Sequence, residues 1–247
     1  MNGATCTELC EDPRLKFKCT CSQGYAGKFC KRKIRTCKDY LAIDPNFRAG
    51  KYFLLDDDDL PYRTFCDFGP EKGLAWTLVE SFAFSNKDIF KNKPFYNDYP
   101  VNEANFLWSS FRLSEDRMEE LLESSTHFRA TCNFSASHDK RYTDYLRAKL
   151  SVLNLLEMKS DNCFTFEYFS VAGSNCSNCD FAFYHKSHNK HHPHIDCDAS
   201  VRRCDKPMSV PGCTSAGEDL FGIYDNYISD HSCSSSQSAT TQWWFGS

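Results

Sequence analysis

The sequence contains no hydrophobic run long enough to cross a membrane. A spanning helix needs about 18 to 20 consecutive apolar residues, and the longest candidate stretch, around residues 150–158, is broken by polar side chains. We therefore predict no membrane span. The N-terminus also lacks the basic start, apolar segment and small-residue cleavage site of a secretory signal peptide.

Signatures of common enzymes are missing as well. The sequence has no Gly-x-Ser-x-Gly motif, no His-Glu-x-x-His motif and no phosphate-binding glycine loop, so we predict that the protein is not an enzyme. Charge of one sign is not in large excess either, since 29 Lys and Arg face 33 Asp and Glu. Nucleic acid is therefore not an expected partner.

Cysteine, by contrast, is abundant, with 15 residues in a chain of 247. A reducing cytosol seldom tolerates this density outside metal and redox proteins, so the composition favours an oxidising compartment. We predict a secreted, disulfide-bonded protein of the extracellular matrix. Because a secreted protein without a signal peptide suggests a fragment, we expect the chain to be a piece of a longer one.

The first cysteine-rich segment ends with Cys-Thr-Cys-Ser-Gln-Gly-Tyr-Ala-Gly-Lys-Phe-Cys, from Cys19 to Cys30. This pattern resembles the closing hairpin of an EGF-like domain. The resemblance implies the disulfides Cys6–Cys19 and Cys21–Cys30, and it leaves Cys10 unpaired because the first cysteine of the family lies upstream of Cys6. We expect the natural protein to extend upstream; a free or intermolecular Cys10 in a complete protein is the alternative.

The second segment holds ten cysteines, from Cys37 to Cys233. It opens with Cys37-Lys-Asp-Tyr, Gly50-Lys-Tyr, Cys66-Asp and Gly73-Leu-Ala-Trp-Thr-Leu-Val, which resembles the start of a fibrinogen C-terminal-like domain. The resemblance implies a Cys37–Cys66 disulfide, whereas spacing alone does not give the other pairings. It divides the chain into a truncated EGF-like domain (1–31), a basic linker (32–36) and a divergent fibrinogen-like domain (37–247).

Local patterns in the larger domain predict both strands and a helix. Residues 52–55 and 62–65 flank a polar turn as in a hairpin, and aromatic-rich runs from Phe128 and Cys163 alternate like half-buried strands. Ser114 is a good N-cap for a helix whose first turn is acidic. We therefore predict an α+β fold with a mostly antiparallel sheet, one clear helix and long loops after about Gly173.

The fibrinogen-like pattern is least complete toward the C-terminus. Trp243-Trp-Phe is present without the cysteine that follows it in the family, and Asp196-Cys-Asp198 matches a calcium loop poorly. We predict no cofactor, and calcium is the one candidate that the resemblance raises. The pairing of the two modules is similar to extracellular matrix proteins of marine invertebrates, including the organic matrix of coral skeletons.

Five histidines form the strongest candidate for a metal site. They could supply nitrogen ligands for zinc or copper beside nearby cysteines, or form a solvated loop that gains charge near pH 6, which is the interpretation we favour. These weak candidate ligands are His185, His188, His191, His192 and His194.

Three further motifs have a structural and a functional interpretation. Asp56 to Asp59 could bind calcium, but a charged hairpin turn is the simpler interpretation. Cys176-x-x-Cys179 lacks the context of a redox motif, so we predict a structural disulfide or halves of two bridges. Asn133 and Asn175 each begin a glycosylation sequon, and we prefer Asn133 because cysteines flank Asn175.

Together these patterns predict a non-enzymatic extracellular matrix or adhesion protein. Its expected partners are other matrix proteins or glycans, and the similarity to coral proteins extends the hypothesis to a mineralised matrix. A soluble lectin-like protein that recognises carbohydrate is the alternative.

Overall fold

The structure is a computed structural model that describes residues 2–8, 17–69, 71, 73–134, 144–157, 162–184, 191–195, 204, 220–225 and 227–247. The chain divides into two compact units. The first contains Met1–Thr77 together with Ser247, and the second contains Leu78–Gly246.

The first unit is built from short antiparallel pairs and one brief helix. Its elements are β1 (Thr5–Glu8), β2 (Phe17–Thr20), β3 (Tyr25–Ala26), β4 (Arg32–Lys33), α1 (Cys37–Leu41), β5 (Gly50–Leu55), β6 (Pro61–Asp67) and the start of β7 (Trp76–Ala83), which continues into the second unit. β1 pairs with β2, β3 with β4, and β5 with β6. The predicted hairpin of residues 52–55 and 62–65 is the β5–β6 pair.

The segment predicted as a basic linker makes specific contacts inside this unit. Ile34 is completely buried; its N–H donates to the carbonyl of Gly24 at 2.9 Å, and its own carbonyl accepts from the N–H of Leu55 at 2.8 Å. Gly24 has a φ of +74°, and a Cβ there would lie 2.5 Å from Cγ of Leu55. The close approach therefore requires glycine. The domain boundaries stay a prediction.

The second unit carries most of the sheet. After β7 come a 3₁₀ helix (Phe84–Asn86), α2 (Lys87–Phe90), β8 (Ser110–Arg112), α3 (Glu115–Glu123), β9 (His127–Cys132), β10 (Tyr145–Lys149), β11 (Asn162–Phe166), β12 (Tyr168–Val171), β13 (Ser174–Cys176), β14 (Cys179–Tyr184), β15 (His194–Ile195) and β16 (Thr240–Gly246). The larger sheet has the order β13-β12-β10-β9-β16-β7, with β8 on β7, and a smaller sheet has the order β11-β14-β15.

Strand β16 lies at the centre of the larger sheet, between β9 and β7. All seven of its residues are buried. The ring of Trp243 packs against Phe95, Phe128 and Phe183, and its indole N–H donates to the carbonyl of Phe221. A strand buried on both faces shows no alternation of polar and apolar residues, so its sequence pattern is weak.

Helix α3 begins after Ser114, as predicted, and buries Met118 and Leu121. The Ser114 hydroxyl does not cap it. Instead a carboxylate of Glu103 accepts from the N–H of Ser114 at 2.5 Å, and a carboxylate of Asp98 accepts from the N–H of Glu115 at 3.0 Å. Acidic side chains at the positive end of the helix stabilise it.

The prediction of an α+β fold is wrong. Among the described residues the fold is mostly antiparallel β-sheet, with 40% strand and 11% helix, because α1 and α2 are only five and four residues long and α3 only nine. The part of the chain after Gly173, where long loops are expected, also contains the strands β13, β14, β15 and β16. The run from Cys163 is two strands in different sheets, separated at Glu167.

Within the described residues, no helix combines the length and apolar character that a bilayer crossing requires.

Candidate functional site

Six disulfides join twelve cysteines among the described residues, so the prediction of a disulfide-bonded protein is confirmed. Three of them are the pairs that the resemblances imply, Cys6–Cys19, Cys21–Cys30 and Cys37–Cys66. Cys10, expected to be unpaired, lies outside the described residues. The Cys37–Cys66 bridge is buried with Ala75 and packs against Tyr40 and Tyr52, so it anchors α1 to β6.

The other three disulfides belong to the second unit. Cys132–Cys233 joins positions 101 residues apart, and Cys163–Cys204 joins positions 41 residues apart. Cys176 and Cys179 bond to each other, which matches the first of the two structural interpretations of that motif. Cys197 and Cys213 lie outside the described residues.

The acidic turn after β5 is largely neutralised by the basic segment before α1. A carboxylate oxygen of Asp59 lies 2.6 Å from Nζ of Lys33, and Arg35 pairs with Asp57 at 3.0 Å and with Asp59 at 3.1 Å. The hydrogen bond from Lys33 lowers the pKa of Asp59. Asp56 is buried and accepts from the N–H of Leu60. These contacts favour the hairpin-turn interpretation over a calcium site. Asp196 and Asp198 lie outside the described residues.

The histidine-rich segment contributes buried side chains. His185 and His188 lie outside the described residues, His191 is partly buried, and His192 and His194 are buried. The interpretation as a solvated loop is therefore wrong for His192 and His194. The ring of His194 stacks on Tyr184 with centroids 4.8 Å apart.

His192 belongs to a buried charge cluster that sequence analysis missed. Its Nε2 lies 2.5 Å from Oε1 of Glu80, and the guanidinium of Arg112 lies 3.4 Å from Oε2 of the same carboxylate. Arg112 also donates to the carbonyls of Lys93, Pro94 and Asn97. Burial lowers the pKa of Arg112. Glu80 is the one ionisable residue of β7, whose other residues are apolar or carry a hydroxyl, and this is the sequence signal that points to the cluster.

A second buried cluster surrounds the Cys132–Cys233 disulfide. Oδ1 of Asp144 accepts from the N–H of Ala172 at 2.7 Å, and its Oδ2 accepts from the N–H of Ser232 and lies 3.9 Å from Nε2 of His231. Burial lowers the pKa of His231 to about 4. The imidazole is therefore neutral at neutral pH.

An exposed aromatic surface lies on the second unit. The ring of Tyr227 is 51% exposed and stacks on the buried ring of Phe84, with centroids 4.6 Å apart and planes at 26°. Nζ of Lys87 lies 5.6 Å from the centroid of Phe84. We call Phe84, Lys87 and Tyr227 the aromatic platform. The exposed ring can contact the apolar face of a sugar, whereas the Lys87 ammonium already pairs with the Asp88 carboxylate at 3.0 Å.

The two glycosylation candidates differ in their surroundings. The side chain of Asn133 is partly buried: its Nδ2 donates to the carbonyl of Ser232 at 2.8 Å and its Oδ1 accepts from the N–H of Thr240 at 2.9 Å. Asn175 is exposed in β13. The structure thus favours Asn175 as the glycosylated residue, whereas the sequence analysis preferred Asn133.

Among the described residues, one group of metal-ligating side chains converges, namely Cys132, His231 and Cys233. Of the candidate histidines, the three that the structure describes, His191, His192 and His194, are not part of it. No protein family model matches the chain, and no curated protein matches it in sequence.

Proposed function

We propose that this protein is a secreted, non-enzymatic component of the extracellular matrix or of an adhesive surface. The observation that carries the proposal is the set of six disulfides, one of which spans 101 residues. Bridges of this number form and persist in oxidising compartments. In this proposal the EGF-like segment acts as a spacer and the divergent fibrinogen-like segment offers a binding face.

The burial and the contacts of the ionisable side chains in the core support a structural rather than a catalytic role for them. Glu80, Arg112 and His231 are groups of the kind that catalysis employs, yet each is completely buried. Each is also engaged with neighbouring side chains or carbonyls of the fold. Groups in this setting hold strands and loops together, whereas a reacting group must be reachable by its substrate.

The aromatic platform is the surface that we propose for binding matrix proteins or glycans. Tyr227 presents a large rigid ring whose orientation is fixed by stacking on Phe84. Such a ring supplies contact area at little cost in conformational entropy. The nearby ion pair of Lys91 with Asp225, at 2.7 Å, adds polar groups to the same unit.

The same platform favours a second candidate function, a soluble lectin. Stacking of a sugar on the exposed ring of Tyr227 would give carbohydrate recognition without calcium. Competition separates the two functions, because free sugar releases a lectin from its ligand. Retention on a matrix protein that free sugar does not release favours the matrix role.

A mineralised matrix is the narrower form of the proposal. It would rest on the acidic turn, where Asp57 and Asp58 are exposed. Because Asp57 and Asp59 already pair with Arg35, the turn offers fewer free carboxylates than its sequence suggests. Adsorption of the oxidised chain to calcium carbonate, compared with that of Asp57→Asn/Asp58→Asn, tests this form.

The platform is tested with the purified, oxidised chain on immobilised collagen, fibronectin, chondroitin sulfate and chitooligosaccharides, and in a cell-spreading assay. We expect Tyr227→Ala to weaken retention by about tenfold, as for an exposed aromatic hot spot. Phe29→Ala is the matched control, since Phe29 is 52% exposed but lies in the first unit. Equal retention of wild type and Tyr227→Ala, or retention on none of these surfaces, would contradict the binding face.

A further inference from the structure

Three side chains that can bind a metal meet at the Cys132–Cys233 disulfide. Sγ of Cys132, Nε2 of His231 and Sγ of Cys233 all lie within 4.8 Å of one another, and all three residues are buried. Sγ of Cys132 is 3.8 Å from Nε2 of His231. Oδ2 of Asp144 lies 3.9 Å from the same Nε2. Two sulfurs and an imidazole therefore surround one point, and a carboxylate lies next to the imidazole.

Contacts other than the disulfide hold these groups in place. Nδ1 of His231 lies 3.3 Å from the hydroxyl of Ser234. The Asp144 carboxylate accepts from two backbone N–H groups, of Ala172 and Ser232. Cys132 is the last residue of β9, which pairs with β16. The cluster thus has supporting hydrogen bonds that do not depend on the S–S bond.

We propose that reduction of the Cys132–Cys233 disulfide converts this cluster into a zinc site, with Cys132, Cys233 and His231 as ligands and a fourth position that water can fill. A dithiol reductant transfers two electrons and two protons to the disulfide, which yields two cysteine thiols and the oxidised, cyclic disulfide of the reductant. Binding of Zn²⁺ then releases the two thiol protons and leaves two thiolate ligands. In the oxidised protein the sulfurs are bonded to each other and the site is closed.

The distances suit a tetrahedral zinc ion. With Zn–S of about 2.3 Å and Zn–N of about 2.0 Å, tetrahedral angles place the sulfurs about 3.8 Å apart and each sulfur about 3.5 Å from the nitrogen. The observed separation of 3.8 Å between Sγ of Cys132 and Nε2 of His231 is close to that value. Once the S–S bond is broken, rotation of the two cysteine side chains supplies the remaining separation.

The orientation of the His231 ring also suits a ligand. Its Nε2 faces Sγ of Cys132 at 3.8 Å, while its Nδ1 lies 3.3 Å from the hydroxyl of Ser234. When the disulfide is reduced, a zinc ion bound at this site would keep Cys132 and Cys233 together, although they are 101 residues apart in the sequence. Zinc would occupy this position before the disulfide forms, and oxidation would expel it.

Cobalt(II) is the probe for this site, because its thiolate complexes absorb in the near ultraviolet and its tetrahedral complexes absorb in the visible. The full chain is treated with a phosphine reductant and titrated with cobalt(II), beside His231→Ala and the double variant Cys176→Ser/Cys179→Ser. The second variant removes the Cys-x-x-Cys pair, whose two thiols compete for the metal after reduction. X-ray absorption of the zinc form counts the sulfur and nitrogen or oxygen ligands.

We expect reduced wild type and Cys176→Ser/Cys179→Ser to bind cobalt equally, with two sulfur ligands, and His231→Ala to bind it more weakly by about tenfold or more. The oxidised wild type should show no thiolate band. If His231→Ala binds as tightly as wild type, or if Cys176→Ser/Cys179→Ser abolishes binding, the metal is held by loose thiols and the proposal is overturned.

If the reduced chain unfolds, a second measurement still tests the zinc site. Circular dichroism of the reduced chain is recorded with and without zinc. Structure that zinc restores in wild type but not in His231→Ala supports the site, since a native zinc site contributes its binding free energy to folding. Zinc that restores nothing, or restores both chains equally, overturns it. Either result leaves the proposed extracellular role untouched.

Discussion

Nε2 of His192 lies 2.5 Å from Oε1 of Glu80, and both side chains are completely buried. The other oxygen of the Glu80 carboxylate, Oε2, forms an ion pair with the guanidinium of Arg112. Removing one member of a buried ionic cluster leaves the others without compensation. This relationship therefore ties β7 to β8 and to the segment before β15.

Glu80→Ala should lower the free energy of unfolding by about 3 to 5 kcal/mol, because it leaves Arg112 buried without a counterion. Glu80→Gln, which keeps the shape and an acceptor, should cost less. Urea denaturation at neutral pH measures both, with the exposed Asp58→Asn as a control. A loss in Glu80→Ala no larger than in Asp58→Asn would show that the cluster does not form.

The stability of the fold should depend on pH through His231. Burial lowers its pKa from 6.5 to about 4, with Asp144 opposing the shift. Between these values the unfolded chain binds the proton and the folded chain does not, so stability is fully present above about pH 6.5 and is lost as the pH falls to 4. The full effect is about 3 kcal/mol.

His231→Gln removes the titrating group, so its unfolding free energy should fall less steeply than that of wild type over the same pH range. Urea denaturation at several pH values gives both curves, and the difference between them isolates His231 from the carboxylates that titrate nearby. Parallel curves would mean that His231 titrates alike in the folded and unfolded chain.

The disulfides of the second unit should differ in their contribution to stability. In the chain-entropy account, replacing Cys132 and Cys233 with Ala costs about 5 kcal/mol, and replacing Cys176 and Cys179 costs about 2 kcal/mol, because the first bridge closes a far longer loop. Urea denaturation of the two double variants gives the comparison. A larger loss from the short bridge would contradict this account.

Glycosylation should occur at Asn175 when the chain is expressed through a secretory pathway. Its side chain is exposed, whereas Nδ2 of Asn133 donates to Ser232 in a partly buried site. Mass spectrometry of glycopeptides identifies the modified residue, and Asn175→Gln should remove the glycan. A glycan found on Asn133 alone would show that modification precedes the contacts of the folded chain.

Local sequence signals predicted the elements that depend on local chemistry. The hairpin of β5 and β6 and the helix after Ser114 each have a turn, an aromatic run or an N-cap residue in a short window. The cysteine pairs Cys6–Cys19, Cys21–Cys30 and Cys37–Cys66 coincide with those that the resemblances imply.

Features that depend on contacts distant in sequence could not be predicted in this way. Strand β16 is uniformly buried and has no alternation of polar and apolar residues, so the sequence around Trp243 does not indicate a central strand. His192 looked like one of several polar residues, because its partner Glu80 lies 112 positions away. Asp144 and His231 were not singled out, since 87 positions separate them and neither stands in a recognisable motif.

The most direct test of the extracellular role is where the native protein is found. An antibody against the chain is used on successive extracts of the source tissue: fluid, detergent, chaotrope with a reductant, and acid that dissolves mineral. We predict recovery in the chaotrope or acid extract, with the disulfides closed before reduction. Recovery in the fluid alone would favour the lectin, and a reduced, intracellular protein would contradict the account.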